Sequence, residues 1–217
     1  MIAAAAPLAS LFAALSPHPG GDAEPVAPPG EDAIARLVEQ AGAGDTGARQ
    51  ALYQLYVNRV FRAVRGMLRS DADAEDVTQD AMLTVLTSLH KYTPRAGASF
   101  AGWVTTIAVN TARRRFRRRR PDLTATGDLP ETPDEGVDPA DGLDRARQRR
   151  ALLVALAELP ERERVIVSLR YGAGLNASEI GTTVGVEPAT IRKILERARI
   201  RLGARIEALL SREKGRS

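Results

Sequence analysis

The residues with the most to offer chemically stand together at 99–120, SFAGWVTTIAVNTARRRFRRRR. Seven arginines fall within the eight positions 113–120. Guanidinium groups at that density bind polyanions, because they displace counterions from phosphates and donate in a fixed fork. The run by itself fits a solvated basic tail, or contact with a membrane, RNA or DNA. Asn110 stands just before it. A carboxamide carries both a donor and an acceptor, the pair needed to read the edge of a nucleic-acid base. A second group, Asp76, Gln79 and Asp80, falls at i, i+3 and i+4, one face of a helix. It reads either as a solvated face suited to a helix N-terminus or as a docking surface.

Other chemistries lack their residues. The 217 residues include no Cys and only His18 and His90, so disulfides, thiolate metal sites and a His-based triad have no basis. No Gly-rich phosphate-binding loop is present. Lys+Arg number 31 against 27 Asp+Glu, a net charge of only +4, but the charges are segregated. Residues 95–120 hold eight Arg and no acid, whereas 121–144 hold eight acids and no Lys or Arg. Such blocks predict a polyanion-binding face followed by an acidic linker.

These groups need helices to position them. Ile34, Leu37, Val38 and Ala41 recur with helical period, and a longer pattern places Leu52, Leu55, Tyr56, Val60, Val64 and Leu68 inward. SDADAEDV begins a third helix, running to about His90, with its acids at the positive end of the dipole. YTPRAGA is a loop, and Ser99 the N-cap of the next helix, on which Phe100, Trp103, Val104 and Ile107 form a core face. Residues 121–144 carry four Pro and three Gly beside their acids and read as a flexible linker. Beyond Arg145, ERERVIVSLRY is a helix ended by Gly172 and Gly174. Asn176 and Glu179 have capping-box spacing. A short helix at about 177–184 stops at Gly185, and Pro188 opens a longer basic helix. That is a helix-turn-helix pattern, with Ile191, Leu195 and Ala198 inward and Arg192, Lys193 and Arg197 elsewhere.

The expected architecture is all-α: two small helical domains, 31–120 and 145–217, joined by the flexible acidic linker 121–144. Residues 1–30 are apolar and Ala/Pro-rich but lack the basic start of a signal peptide, since the first Lys or Arg is Arg36. They read as a disordered tail, or as the product of an upstream start site.

In combination, DAEDVTQDAMLTVLTSLHKY, FAGWVTTIAVNTARRR and LPERERVIVSLRYGAGLNASEIGTTVGVEPATIRKILERAR resemble, in that order, regions 2 and 4 of a bacterial extracytoplasmic-function (ECF) sigma factor. The resemblance covers roughly residues 31–212. It implies a cytoplasmic, non-enzymatic subunit that needs no cofactor, metal or small-molecule substrate. Its partners would be core RNA polymerase (β′ and β), promoter DNA and an anti-sigma factor. By the same resemblance Asp76, Gln79 and Asp80 dock on β′. Asn110 and the loop 92–99 capture an unpaired base of the −10 element, Trp103 lies near the point of strand separation, and Arg113, Arg114 and Arg117 hold phosphates. Thr190, Arg192, Lys193 and Arg197 face the −35 element. Thr106, Ile194, Glu196 and Gly181 depart from the family pattern; Gly181 lowers helix propensity by roughly 1 kcal/mol relative to Ala. Two other readings fit parts of the pattern: a freestanding helix-turn-helix regulator, and a sigma-mimic adaptor that binds an anti-sigma factor.

Overall fold

The computed structural model describes residues 8–13, 15, 29–94, 99–118 and 139–214. The linker segment 121–138, the loop residues 95–98, and Arg119 and Arg120 lie outside the described residues. Among the described residues every regular element is helical. No helix among them is long and apolar enough to cross a membrane.

The first unit is built from α2 (Glu31–Gly42), α3 (Thr46–Met67), α4 (Asp71–Thr87) and α5 (Phe100–Arg118). Local chemistry sets the helix starts. Asp45 caps α3 by accepting from the Ala48 amide at 2.6 Å, and Ser70 caps α4 by accepting from Asp73 at 3.3 Å. Ser99 accepts from the Gly102 amide at 3.1 Å, as its position predicts. Helix α4 stops at Thr87, and a separate 3-10 turn, Leu89–Lys91, carries Leu89 into the core. The periodic apolar positions converge: Ile34, Leu52, Tyr56, Val60, Val77, Val85, Phe100 and Val104 share one buried cluster.

The second unit comprises α6 (Pro139–Ala157), α7 (Glu161–Val167), a π-helical turn (Ser168–Gly172), α8 (Ala177–Val184) and α9 (Pro188–Lys214). The Asn176–Glu179 capping box is complete, and Gly185 adopts φ +69°, the left-handed state that ends α8. A Cβ at Gly181 would lie 2.5 Å from the Val186 carbonyl oxygen, so the residue that lowers helix propensity also admits the turn. Helix α6 begins at Pro139, inside the stretch expected to be linker. Its C-terminal half carries Leu152, Leu153 and Leu156, which bury against α9 and extend the helix back toward the acidic segment.

One expectation is corrected. Residues 8–13, expected to be disordered, form the short helix α1 (Leu8–Ala13), whose Leu8, Leu11 and Phe12 are buried. The apolar surface that made the stretch look like a leader finds a groove in the second unit. The two units also pack against each other: a third buried cluster joins Ala63 and Val109 of the first to Ile166, Leu169, Leu175, Ile180 and Ile191 of the second.

The junction is a close crossing of α3 and the π-turn. A Cβ at Gly172 would stand 2.7 Å from the Ala63 nitrogen and 2.8 Å from its Cα, so only glycine lets the backbones meet. Gly66 is the reciprocal position, where a Cβ would collide with the Ser168 hydroxyl. The helical stretch ends at Gly172, as expected, yet this glycine also serves close packing, and the positive φ falls at Gly174 (+74°). Arg62 donates to the Gly172 carbonyl at 3.3 Å across the same crossing.

An ion network fastens a second edge. Arg65, buried in α3, pairs with Asp71 and donates to the Leu68 carbonyl at 2.9 Å. Arg149 of α6 reaches the same Asp71 oxygen at 2.8 Å. Burial alone would raise the Asp71 carboxyl, but hydrogen bonds and charge from Arg149 and Arg65 outweigh it and hold the group below its ordinary 3.8.

Replacing Gly172 by Ala should weaken the association of the units by about 1–3 kcal/mol, since the partner atoms are backbone and cannot rotate away. The radius of gyration from small-angle scattering should rise while far-ultraviolet circular dichroism holds. A double-mutant cycle with Asp71→Asn and Arg149→Ala should give a coupling of about 1–2 kcal/mol at neutral pH. Because the folded carboxyl titrates below its unfolded value, that coupling is complete above about 3.8 and lost as pH falls through the depressed value.

Candidate nucleic-acid interface

Helix α5 divides its surface between two tasks. Phe100, Val104, Ala108 and Ala112 recur every four residues and are buried in the first unit's core. On the other side Asn110, Arg113 and Arg114 are exposed. Trp103 lies seven residues before Asn110, so the two share a face roughly 10 Å apart along the axis, with Arg113 and Arg114 continuing it by one turn. Thr105, Thr106 and Thr111 each donate to the carbonyl four residues back, at 2.7, 2.8 and 2.9 Å. Their hydroxyls thus do not compete for the Asn110 side chain.

An aromatic cluster supports the N-terminal end of this face. Phe100 meets Tyr56 edge-on with centroids 5.3 Å apart, and Tyr92 at 5.0 Å. Trp103 lies 5.4 Å from Tyr92 and 5.5 Å from Phe100. Trp103 is only half-buried, so it packs on the core and keeps part of its side chain at the surface. Burial, only partly opposed by the charge of Arg59, pushes the Tyr56 hydroxyl up to about 12, so this phenol stays neutral. Among the described residues no group of His, Asp and Glu is placed to hold a metal ion.

The arginines of the run do not act alike. Arg115 turns back onto α4, meeting Asp73 at 3.1 Å and Asp76 at 2.6 Å. Arg113 and Arg114 remain outward. Arg117 belongs to α5 by its backbone.

Asp76, Gln79 and Asp80 are all exposed on α4, as their spacing predicts, although Asp76 is engaged by Arg115. One residue of this face escaped the sequence reading. Leu83, four residues after Gln79, is 64% exposed and extends the polar row with an apolar patch. Nothing in its residue type marks it as exposed; the signal available was its offset from the buried Ala81, Met82 and Val85 positions.

On α9, Ile191, Ala198, Leu202 and Ile206 are buried and Thr190, Arg192, Lys193 and Arg197 are exposed on the first three turns. Of the later arginines, Arg201 bonds Glu163 at 2.9 Å and Arg205 chelates Glu158 at 2.6–3.0 Å, whereas Arg199 and Arg212 are exposed. Arg192, Lys193 and Arg197 lie toward the end by which such a helix enters a groove.

The two candidate surfaces are not independent. Helix α8 lies along the flank of the α5 face. Glu179 accepts a hydrogen bond from Ser99 while also closing its own capping box on the Asn176 amide at 2.8 Å. Thr106 and Thr183 hydroxyls meet at 3.3 Å. A carboxylate thus sits beside the aromatic end of the face, while Asn110, Arg113 and Arg114 stay open. Thr106, where the family pattern favours a basic residue, here makes a contact between units.

Comparison with known proteins matches this arrangement. Residues 52–121 match the family described as Sigma-70 region 2 and residues 155–203 that described as Sigma-70, region 4. The ECF RNA polymerase sigma factor ShbA of Streptomyces griseus is 32% identical over 191 residues, covering 80% of this chain and 95% of that protein. The ECF RNA polymerase sigma factor BldN of Streptomyces coelicolor is 30% identical over 163 residues, 75% of this chain; the chain spans only 61% of BldN. In structure, the sigma factor RpoE of Bartonella quintana, solved with the anti-sigma factor NepR, superposes with a TM-score of 0.57 at 20% identity. That match covers 73% of this chain and 96% of RpoE, a likeness of fold. A helical unit with an Asn–Arg face on its last helix, a helix-turn-helix unit behind it, and these relatives together place the chain in the family of ECF RNA polymerase sigma factors.

Proposed function

We propose that the chain is a promoter-specificity subunit that binds core RNA polymerase, directs it to promoters and helps melt the −10 element, without performing chemistry itself. The observation that carries this reading is the single face of α5 on which Trp103, Asn110, Arg113 and Arg114 line up opposite the core positions. Such a face suits one melted strand: the arginines neutralise phosphates, and the carboxamide pairs with the edge of an extruded base. The half-buried Trp103 offers part of its ring for stacking, and Arg117 would add a further phosphate contact.

The remaining surfaces complete the role. Asp76, Gln79 and Asp80, extended by Leu83, form the face for the β′ subunit, and an apolar residue within a polar row is typical of a docking anchor. Thr190, Arg192, Lys193 and Arg197 enter the duplex at the −35 element, with the first turns of α9 in the major groove. On this reading 31–120 serves polymerase and the −10 element, 145–217 serves the −35 element, and the acidic segment between them spans the two. An anti-sigma protein is the expected regulator, and the cytoplasm is where polymerase is met. Because α8 flanks the reading face of α5, strand capture requires the two units to part.

In transcription with purified core polymerase, Asn110→Ala should lower open-complex formation about tenfold or more, the loss of one base-edge contact worth about 1–3 kcal/mol. Retention of the −35 contact should leave duplex binding by the holoenzyme nearly unchanged. Specific duplex binding by the chain without polymerase, with no polymerase-dependent initiation, would instead identify a freestanding regulator.

A further inference from the structure

Leu8, Leu11, Phe12 and Leu15 recur at i, i+3, i+4 and i+7, and all four are buried, Phe12 completely. They join a cluster formed by Leu152, Leu156, Val167 and Leu202 of the second unit. Ala9 and Ser10, on the other side of α1, are exposed. Phe12 stacks on Tyr171 with centroids 6.0 Å apart. Its Cε1 also lies 3.2 Å from where a Cβ of Gly66 would stand, beside Ser168. The ring therefore occupies the cusp where α3 of the first unit meets the π-turn of the second. In sequence α1 precedes the first unit, yet its apolar face is buried in the second.

We propose that α1 is an intrachain clamp. The chain's own residues 8–13 and 15 fill the groove between α6 and the π-turn and seal the crossing of α3 with that turn, holding the two units closed. Two physical properties suit it to release. Six residues are too few to persist as a helix without docking, so α1 is helical when bound and unfolded when free. Its contacts are purely apolar, with no ion pair to break. Opening the α3 crossing uncovers Phe12, and undocking α1 uncovers the crossing, so the two events favour each other.

The consequence for promoter capture rests on the sigma reading above; the clamp itself does not. With no native Cys in the chain, Gln54→Cys on α3 and Ala204→Cys on α9, both at exposed positions, accept spin labels cleanly. The test compares inter-label distances in the full chain, the Phe12→Asp variant, a truncation lacking residues 1–16, and Ser10→Asp on the exposed face. The expected result is one short distance for the full chain and Ser10→Asp. Phe12→Asp and the truncation should instead show a second, longer population, with the open-to-closed ratio raised about tenfold or more. Distributions that superpose for all four would overturn the clamp. So would amide exchange of α9 at unfolded rates in the truncation, which would make α1 merely part of that unit's core. Transcription with core polymerase separates the two ideas: inactivity of every form counts against the sigma reading, while the distances still decide the clamp.

Discussion

Everything in this molecule turns on one backbone contact. Gly172 brings the π-turn against the main chain of Arg62 and Ala63 more closely than any side chain would allow. A Cβ at Gly172 would have to retreat by about 1 Å to reach ordinary contact, loosening the packing of Ile166 and Leu169 against Ala63. The wedge made by Phe12 closes on the same crossing, and the Asp71–Arg149 bond, at 2.8 Å, fastens a second edge between the units. The closed arrangement is therefore a set of contacts that depend on one another, and loosening one loosens the rest.

That arrangement gives the charge distribution its meaning. The seven arginines of 113–120 looked like one polyanion signal. Arg115 is spent on Asp73 and Asp76, tying α5 to α4, while Arg113 and Arg114 stay outward beside Asn110. The same sorting occurs on α9, where Arg201 and Arg205 brace Glu163 and Glu158 and the earlier cations are left at the surface. In both units carboxylates on neighbouring segments engage some of the arginines, while Arg113, Arg114, Arg192 and Arg197 remain exposed. Glu179 adds the opposite charge at the aromatic end of the α5 face. A negative group there disfavours a phosphate until α8 moves away.

Much of this could be read from residue pattern. The helices of the first unit follow from apolar period, and two of their starts from the acid-rich SDADAEDV stretch and from Ser99. The capping box at Asn176 and the left-handed Gly185 marked the helix-turn-helix. The exposed placement of Asn110, Thr190 and Lys193 follows from their offset to buried neighbours. Contacts between units were not legible, because periodicity reports which face a helix buries and not what covers it. At Gly172 the stop was legible and the close packing was not, since a packing glycine and a terminating glycine have the same sequence signature. Residues 8–15 looked like a leader or a tail for the same reason: an apolar helical stripe is common to both and to a docked clamp. Leu83 differs: its residue type carries no mark of exposure, and only its offset from the buried Ala81, Met82 and Val85 sets it outward.

The central claim is that the closed form flanks the reading face of α5 with α8 and must open for a promoter strand to be captured. The Thr106 and Thr183 hydroxyls, 3.3 Å apart, mark the place to test it. In a chain with no other Cys, Thr106→Cys with Thr183→Cys can be joined by oxidation and released by reduction. Polymerase-dependent open-complex formation should be lost in the oxidised protein and return on reduction, with each single variant active throughout. Equal activity of the oxidised and reduced forms, with the crosslink verified by mass, would contradict the account.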